Sequence, residues 1–575
     1  MPSIFINRDK VVFLLIKERC KLADKQSRID QKNEFITRRG IPNKGNSFIS
    51  NSIYNIFPPR AKWCSIGNTE QRIKLNSIER NELRLKYTYL KAKKRKCKDE
   101  WYIKLCNYAD YIVKISDNMS GIINPPTVTV IEKKRDDKTN TIIYRPVCSF
   151  PREIKIIFSL LNKYLTKVLD KEFYGCSYAF RAVKRKYELQ HLNAVIDIQQ
   201  YRKNHSGLPL YVAECDMQKF YDTIDHNIIK QRFSTLLNNV VKTKSILKED
   251  VKKIKSIFYT YVDCFDFRKD IFIHNKKSSN DIFWHKKNSD KLWKCKIEWV
   301  SELEHAKKFQ RRKKVGVPQG GALSGLIANI VMHYVDVAVH KSIEGSDTLY
   351  CRFCDDMILI GVDKNKVMET FNIYQNAIHN SKLFSHNLEA FKFKKMKDFW
   401  NGKTRGPYEW NERGENVFPW ITFVGFDINW CGNLRIRKAS FKKHIAKQYN
   451  VASDLLLPYK NGKIPRYSMG TIKLSLINRL ICMSVGRIKI WNYKSFDNNC
   501  SWIKAFSILD KNQWSVKQMK CLDKHRGVII NRASKQLKCF ECPSNTKSNI
   551  MDDFTNRYMY FGGPFSYYGQ CFIYK

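Results

Sequence analysis

The sequence predicts an α+β fold built around a central antiparallel sheet. Three observations point there. Leu210-Tyr211-Val212-Ala213-Glu214-Cys215 reads as a strand that ends on an acid, Asp216. Tyr350-Cys351-Arg352-Phe353-Cys354-Asp355-Asp356-Met357-Ile358-Leu359-Ile360 places two adjacent acids between strand-forming runs, as a β-hairpin with Asp355 and Asp356 at its turn. Apolar residues at helical spacing, such as Ile154, Ile157, Phe158, Leu161 and Leu165, set helices between the strands.

Taken along the chain, residues 1–125 form a polar, basic N-terminal region. It has a helical section around 78–115, where Leu83, Tyr87, Leu90 and Lys94 keep helix-like spacing. A hairpin follows: Thr127-Val128-Thr129-Val130-Ile131 runs into a turn at Asp136-Asp137-Lys138-Thr139-Asn140, and Thr141-Ile142-Ile143-Tyr144 returns. The segment 264–314 is irregular and rich in Lys and Trp, as an exposed insertion would be, and 400–416 is irregular again. Trp420-Ile421-Thr422-Phe423-Val424 is a further strand. Residues 321–339 are apolar enough to suggest a membrane span, but Asn329, His333 and Asp336 interrupt them, which makes them a buried helix. After residue 440 the pattern is mostly helical and basic.

At 575 residues with 43% hydrophobic and 13% aromatic residues, the chain can build the cores of several domains. Its 104 Lys+Arg against 54 Asp+Glu give a formal charge of +50, a surface suited to a polyanion, nucleic acid above all. The basic residues cluster, at Lys91-Ala92-Lys93-Lys94-Arg95-Lys96 and at Arg311-Arg312-Lys313-Lys314. Eighteen cysteines spread over this length do not read as a disulfide scaffold and point to a reducing, cytoplasmic setting. Val11-Val12-Phe13-Leu14-Leu15-Ile16 is too short for a signal or membrane segment, so no membrane partner is expected.

The chemistry lies in three segments. Side-by-side carboxylates repel unless a cation gathers there, and Mg²⁺ is the usual one. Asp-Asp also occurs in ordinary solvated turns, so the pair at 355–356 gains meaning from its neighbours. Asp216 opens Asp216-Met217-Gln218-Lys219-Phe220-Tyr221-Asp222, a strand end that can aim one carboxylate at a neighbouring hairpin turn. Asp216 facing Asp355 would hold two Mg²⁺ about 3.5–4 Å apart, one activating a primer 3′-hydroxyl and the other stabilising a triphosphate. Gly316-Val317-Pro318-Gln319-Gly320-Gly321-Ala322-Leu323-Ser324 is a Pro/Gly turn that leads at once into a helix, with Gln319 placed to hydrogen-bond a nucleotide or template.

These segments, in this order, resemble the palm of a reverse transcriptase over roughly residues 125–445. The resemblance implies a right-hand polymerase: fingers at 126–210, palm at 211–430 with the insertion at about 264–314, and a helical thumb and C-terminal region at 431–575. It implies Asp216, Asp355 and Asp356 as catalytic, Mg²⁺-binding acids. Phe353-Cys354-Asp355-Asp356 matches the Tyr-x-Asp-Asp box, with Phe353 and Cys354 as departures. Lys133, Lys134, Arg135 and Arg145 match the fingers residues that cradle the triphosphate. Gln319 and Gly320 match nucleotide-side positions, and Tyr221 matches the aromatic gate that excludes a ribose 2′-hydroxyl and so favours dNTPs. Ser177-Tyr178-Ala179-Phe180-Arg181 is similar to the Ser-x-Gly-Phe-Arg segment of group II intron-like enzymes, with Ala179 in place of Gly, and implies nucleic-acid contact at Arg181. Phe423 and Gly425 match the primer grip, and Arg435 and Arg437 lead into the thumb. One of Lys392, Lys394, Lys395 and Lys397 would stand near the triphosphate.

By the same resemblance the chain is an RNA-directed DNA polymerase with RNA template, DNA product and dNTPs as partners. The absence of a His-Asn-His cluster after the thumb and of a Val-Thr-Gly signature sets it apart from intron-mobility and retron enzymes. Its long basic ends are similar to those of anti-phage defence reverse transcriptases, which implies a structured non-coding RNA and leaves a homo-oligomer or a partner protein open. Two rival readings stay open: an RNA-dependent RNA polymerase, and a maturase-like RNA-binding protein with a vestigial site. Cys521, His525, Cys539 and Cys542 also suggest a zinc set, although the Cys521-x-x-x-His525 half is loose.

Overall fold

The computed structural model describes residues 5–34, 53–67, 75–119, 123–136, 139–272, 294–297, 314–389, 402–462, 467–485 and 505–540, apart from 184, 188, 244, 245, 247, 387, 413, 415 and 416. They form two compact units, residues 1–11 with 108–419 and residues 12–107 with 420–575.

In the first unit, β1 (Thr127–Asp136) and β2 (Thr141–Ser149) pair antiparallel as the sequence pattern indicates. The register slips between Glu132 and Lys134, which makes Lys133 the extra residue of a bulge and turns its side chain out of the regular alternation. Alternate residues of β2 are buried, and Ile142, Tyr144 and Cys148 share a core with Phe265, Phe267, Ile271 and Ile297. Part of the 264–314 segment is therefore interior rather than exposed insertion: its aromatics close the core under β2. The helix Arg152–Leu169 follows, with Ile157, Phe158, Leu161 and Leu165 on its buried stripe.

The central sheet is built on β3 (Leu210–Cys215). Its strand order is β5-β6-β3-β8-β7, where β4 (Lys294–Lys296) lies apart, running parallel to β2. β5 (Thr348–Phe353) and β6 (Asp356–Gly361) are the acidic hairpin, and β6 runs antiparallel to β3. β7 (Leu388–Glu389), β8 (Thr404–Trp410) and β9 (Val417–Phe418) complete it. Residues 400–416, read from sequence as irregular, thus supply a strand against β3. The Gly406-Pro407 pair had hidden it. The β3–β8 register slips between Val212 and Glu214, opposite Tyr408 and Arg405, so this pair falls in a bulge, where proline's missing N–H costs no ladder bond.

The helix Ser324–Ile343 is buried, and the polar residues that interrupt it are used: Asp336 pairs with Arg352 of β5, both at 0% side-chain exposure. The helix Lys364–Asn380 packs on β3 and β6. Among the described residues no helix is long and apolar enough to cross a membrane, and the described cysteines are free thiols.

The helical section read at 78–115 is two helices, Ser77–Lys94 and Glu100–Asp117, broken where Lys96 takes a left-handed φ of 49°. The first starts in a capping box of Asn76 and Glu79. Its buried face is Leu85, Thr88, Tyr89 and Ala92, while Tyr87 and Leu90 are exposed, the reverse of the periodicity read from the sequence. In the second unit, β10 (Trp420–Phe423), β11 (Phe426–Asn429) and β12 (Leu434–Ile436) form an antiparallel sheet. The helices Lys438–Lys460, Met469–Val485 and Gln513–Lys538 share one apolar core, including Leu456, Leu476, Leu480 and Ile530.

Candidate active site

The strand ends decide where the acids go. β3 and β6 pair up to Cys215 and Met357, so the next residue on each strand, Asp216 and Asp356, lies at the same end of the sheet. The hairpin turn is one residue earlier than the sequence pattern indicated. Phe353 pairs with Asp356, so the turn consists of Cys354 and Asp355, and Asp356 opens β6 with its side chain exposed. Cys354 takes a φ of 63°, left-handed for a non-glycine residue. The Arg352 guanidinium holds this turn by donating Nη1–H to the Cys354 carbonyl at 2.8 Å. Burial, together with the nearby negative charge of Asp216, pushes the Asp355 carboxyl above the ordinary range.

Asp216 is fixed by residues 384–386: His386 donates its backbone N–H to the Asp216 carbonyl (3.0 Å), and Met217 bridges to Ser385. Its carboxylate meets Lys403 Nζ at 3.2 Å, and Lys403 in turn meets His386 Nε2 at 3.1 Å. Sequence reading looked for such a lysine at 392–397, residues that lie outside those described. Lys403, just beyond them at the start of β8, is the ammonium found at the site.

The residues Phe220–Thr223 form one helical turn entered through Lys219 at φ 48°. Tyr221 packs there with its hydroxyl 2.9 Å from Cys354 Sγ, so the expected aromatic gate touches the carboxylate turn directly. Burial and the neighbouring Cys354 and Asp355 raise the phenol pKa, and burial pushes the Cys354 thiol up to about 12, so both hold their protons at neutral pH. The glycine-rich turn joins the same assembly: Gly316 N–H donates to Ile224 O and Val317 N–H to Tyr221 O, both at 2.8 Å. Gly316 needs its φ of +87°, and a Cβ there would stand 2.7 Å from the Phe267 Cβ.

Gln319 is a bridge. Its amide Nε2 donates to Asp222 Oδ1 at 2.5 Å, and its amide oxygen accepts from the Arg145 guanidinium. Asp222, which the sequence reading did not single out, is buried, and burial raises its carboxyl pKa to about 6 against the pull of Gln319, Lys219, Arg145 and Lys133. The bond to Gln319 brings Arg145 to this side of the site. Arg135 is tied to Glu132 at 2.8 Å, and Lys134 is exposed on β1. Gly320, at φ +88°, closes the turn against Val147 and Cys148.

Arg181, expected to contact nucleic acid, is an internal clamp. Its side chain is 9% exposed, and it bonds Asp170 and the carbonyls of Asp170, Phe173, Tyr174 and Ser177. In the second unit, Phe423 is buried, and Gly425 at φ +95° makes the β10–β11 turn. Arg435 is held by Asp427 at 3.0 Å and over the Trp420 ring, and Arg437 is exposed.

A divalent cation fits the donor set on its chemistry. Asp216 at the end of β3 and Asp355 in the β5–β6 turn are mutually repelling carboxylates, and Mg²⁺ is held by one or two carboxylates plus substrate phosphates rather than by an all-protein cage. Among the described residues no group of three or more His, Cys, Asp or Glu is gathered to hold a metal. The zinc set is excluded by distance. Cys521 and His525 lie one turn apart on the helix Gln513–Lys538 and Cys539 caps its far end, about 20 Å or more away. Cys542 lies outside the described residues.

Residues 277–399 match the sequence model of the family described as reverse transcriptase (RNA-dependent DNA polymerase). That stretch holds the Gln319 turn and the acidic hairpin, and stops short of Asp216. No curated protein matches the chain. Similar solved structures include apo telomerase from Candida tropicalis lacking its C-terminal domain, with 16% identity over 57% of this chain and 59% of that one, and a TM-score of 0.32. A further structure of apo telomerase from Candida tropicalis has 12% identity over 84% of this chain and 82% of that one, with a TM-score of 0.34. Telomerase from Candida albicans, in complex with the TWJ fragment of telomeric RNA, has 12% identity over 78% and 67%, with a TM-score of 0.33. The chain thus spans about three-fifths of the first of these.

Proposed function

We propose that this chain is a reverse transcriptase, an RNA-directed DNA polymerase that adds dNTPs to a primer by phosphoryl transfer. One observation carries the reading: Asp216 follows β3 and Asp355 sits in the β5–β6 turn at the same end of the sheet, with Tyr221 against that turn. The matched stretch at 277–399 supports it. Asp216 and Asp355 would hold two magnesium ions, which when bound lower the pKa of the primer hydroxyl and neutralise charge on the triphosphate.

The chain's own residues supply the rest. Lys133, the extra residue of the β1 bulge, and Arg145, held by Gln319, offer cationic donors to the triphosphate. Asp222 fixes Gln319, which sets the angle of the Arg145 fork. The Tyr221 ring, pinned through its hydroxyl to Cys354, crowds a ribose 2′-hydroxyl and so selects dNTPs. Arg437 and the basic clusters of the chain favour a structured RNA partner, and the resemblance of its long basic ends supports a role in antiviral defence. Sequencing the nucleic acid that co-purifies with wild type and with Asp355→Asn/Asp356→Asn tests this. DNA only with wild type supports the reading and identifies the template; DNA in neither, with RNA in both, opposes it.

A further inference from the structure

Phe180 has no place in the core, yet it is held with unusual care. It takes a left-handed φ of 57°, a conformation that aromatic residues rarely adopt and that persists only where the surroundings over-determine it. Nearly half of its surface, 47%, is exposed. On one side Arg181 is clamped to Asp170 and four carbonyls. On the other, Asn329 donates its amide N–H to the Ala179 carbonyl at 2.8 Å, and Tyr178 N–H donates to the Arg352 carbonyl at 3.0 Å. The ring rests on Gly325: a Cβ there would stand 2.5 Å from Cδ1 and 2.6 Å from Cγ, so only glycine leaves room for it.

The ring's position is also particular. Its segment bridges to Arg352, three residues before Asp355, and Gly325 lies four residues after Gly321 of the glycine-rich turn. An exposed aromatic that rests on the helix following the Gln319 turn, in a segment bridged to the strand that leads into the carboxylate turn, suits a π-face. Bases offer one whatever their sequence, while a chain of net charge +50 supplies the attraction for their phosphates.

We infer that Phe180 is a stacking platform for an unpaired template base at the edge of the catalytic site, an inference that rests on the polymerase reading above. The test is fluorescence anisotropy with a labelled DNA primer annealed to an RNA template bearing a 5′ overhang. A second duplex carries abasic spacers in place of the first three unpaired template bases. Phe180→Ala and Phe180→Leu should weaken binding of the intact duplex by about 5- to 100-fold, with Phe180→Trp close to wild type. On the abasic duplex all four proteins should bind alike. Equal losses on both duplexes, or no loss on either, would overturn the proposal, and the Leu variant guards against a defect of folding alone. Primer extension by wild type reads the polymerase assignment separately. Extension without the binding pattern defeats the platform alone, and the binding pattern without extension defeats the polymerase reading alone.

Discussion

Asp336→Ala, which breaks the buried ion pair between the helix Ser324–Ile343 and β5, is the most informative single substitution. Asp336 accepts two hydrogen bonds from Arg352, Nε at 2.8 Å and Nη2 at 2.6 Å, and one from the Tyr350 hydroxyl at 2.8 Å. Both members of the ion pair have 0% side-chain exposure. Burial opposes the guanidinium charge, but Asp336 outweighs that and holds the Arg352 pKa above its ordinary value. Removing the carboxylate leaves a cation in the interior without its counter-charge, which costs about 3–5 kcal/mol and lowers the melting temperature by roughly 10 °C. The double replacement Asp336→Leu/Arg352→Met removes both charges and should recover most of that loss. It should not recover synthesis, because Arg352 also donates to the Cys354 carbonyl that shapes the turn carrying Asp355. The assay pairs thermal melting by circular dichroism with single-turnover primer extension. A single variant melting within about 2 °C of wild type, or a double variant as unstable as the single one, would refute the reasoning.

The other predictions concern the site itself. Tyr221→Ala should raise ribonucleotide use relative to dNTP use by about tenfold or more, measured as a ratio of kcat/KM values; an unchanged ratio assigns the ring to packing and reopens the RNA polymerase reading. Asp222 has a folded pKa raised from 3.8 to about 6, so the folded state binds the extra proton and stability falls as pH rises through that window. The loss is on the order of 3 kcal/mol. Asp222→Asn should remove this pH dependence, so the stability difference between variant and wild type should shift towards the variant from pH 4 to pH 6; parallel curves would count against the burial argument. Metal analysis of the purified protein should find no stoichiometric zinc, since one helix holds Cys521 and Cys539 apart. A full equivalent would show that other residues complete such a site.

Much of this was legible in the sequence because period-2 and helical patterns mark half-buried elements directly. β2, β3 and the helix Arg152–Leu169 follow from that. The failures have local causes. Gly406-Pro407 reads as a loop until the bulge in β8 is seen, and the turn at Cys354-Asp355 depends on pairing register, which a one-residue slip changes. The face of Ser77–Lys94 was misjudged because its polar and apolar residues do not separate cleanly. At the site, residue type announced Asp216 and Asp355, but Asp222 and Lys403 matter through partners distant in sequence, Gln319 and Asp216. Arg181 shows the converse: its charge suggested a ligand, whereas five hydrogen bonds give it to the protein.

The most direct measurement is extension of a DNA primer on an RNA template with dNTPs and Mg²⁺, comparing wild type with Asp216→Asn and Asp355→Asn. The account predicts template-length, DNase-sensitive product from wild type, none from either variant and none with EDTA present. Equal product from the Asp355→Asn protein, or incorporation by wild type of ribonucleotides alone, would contradict it.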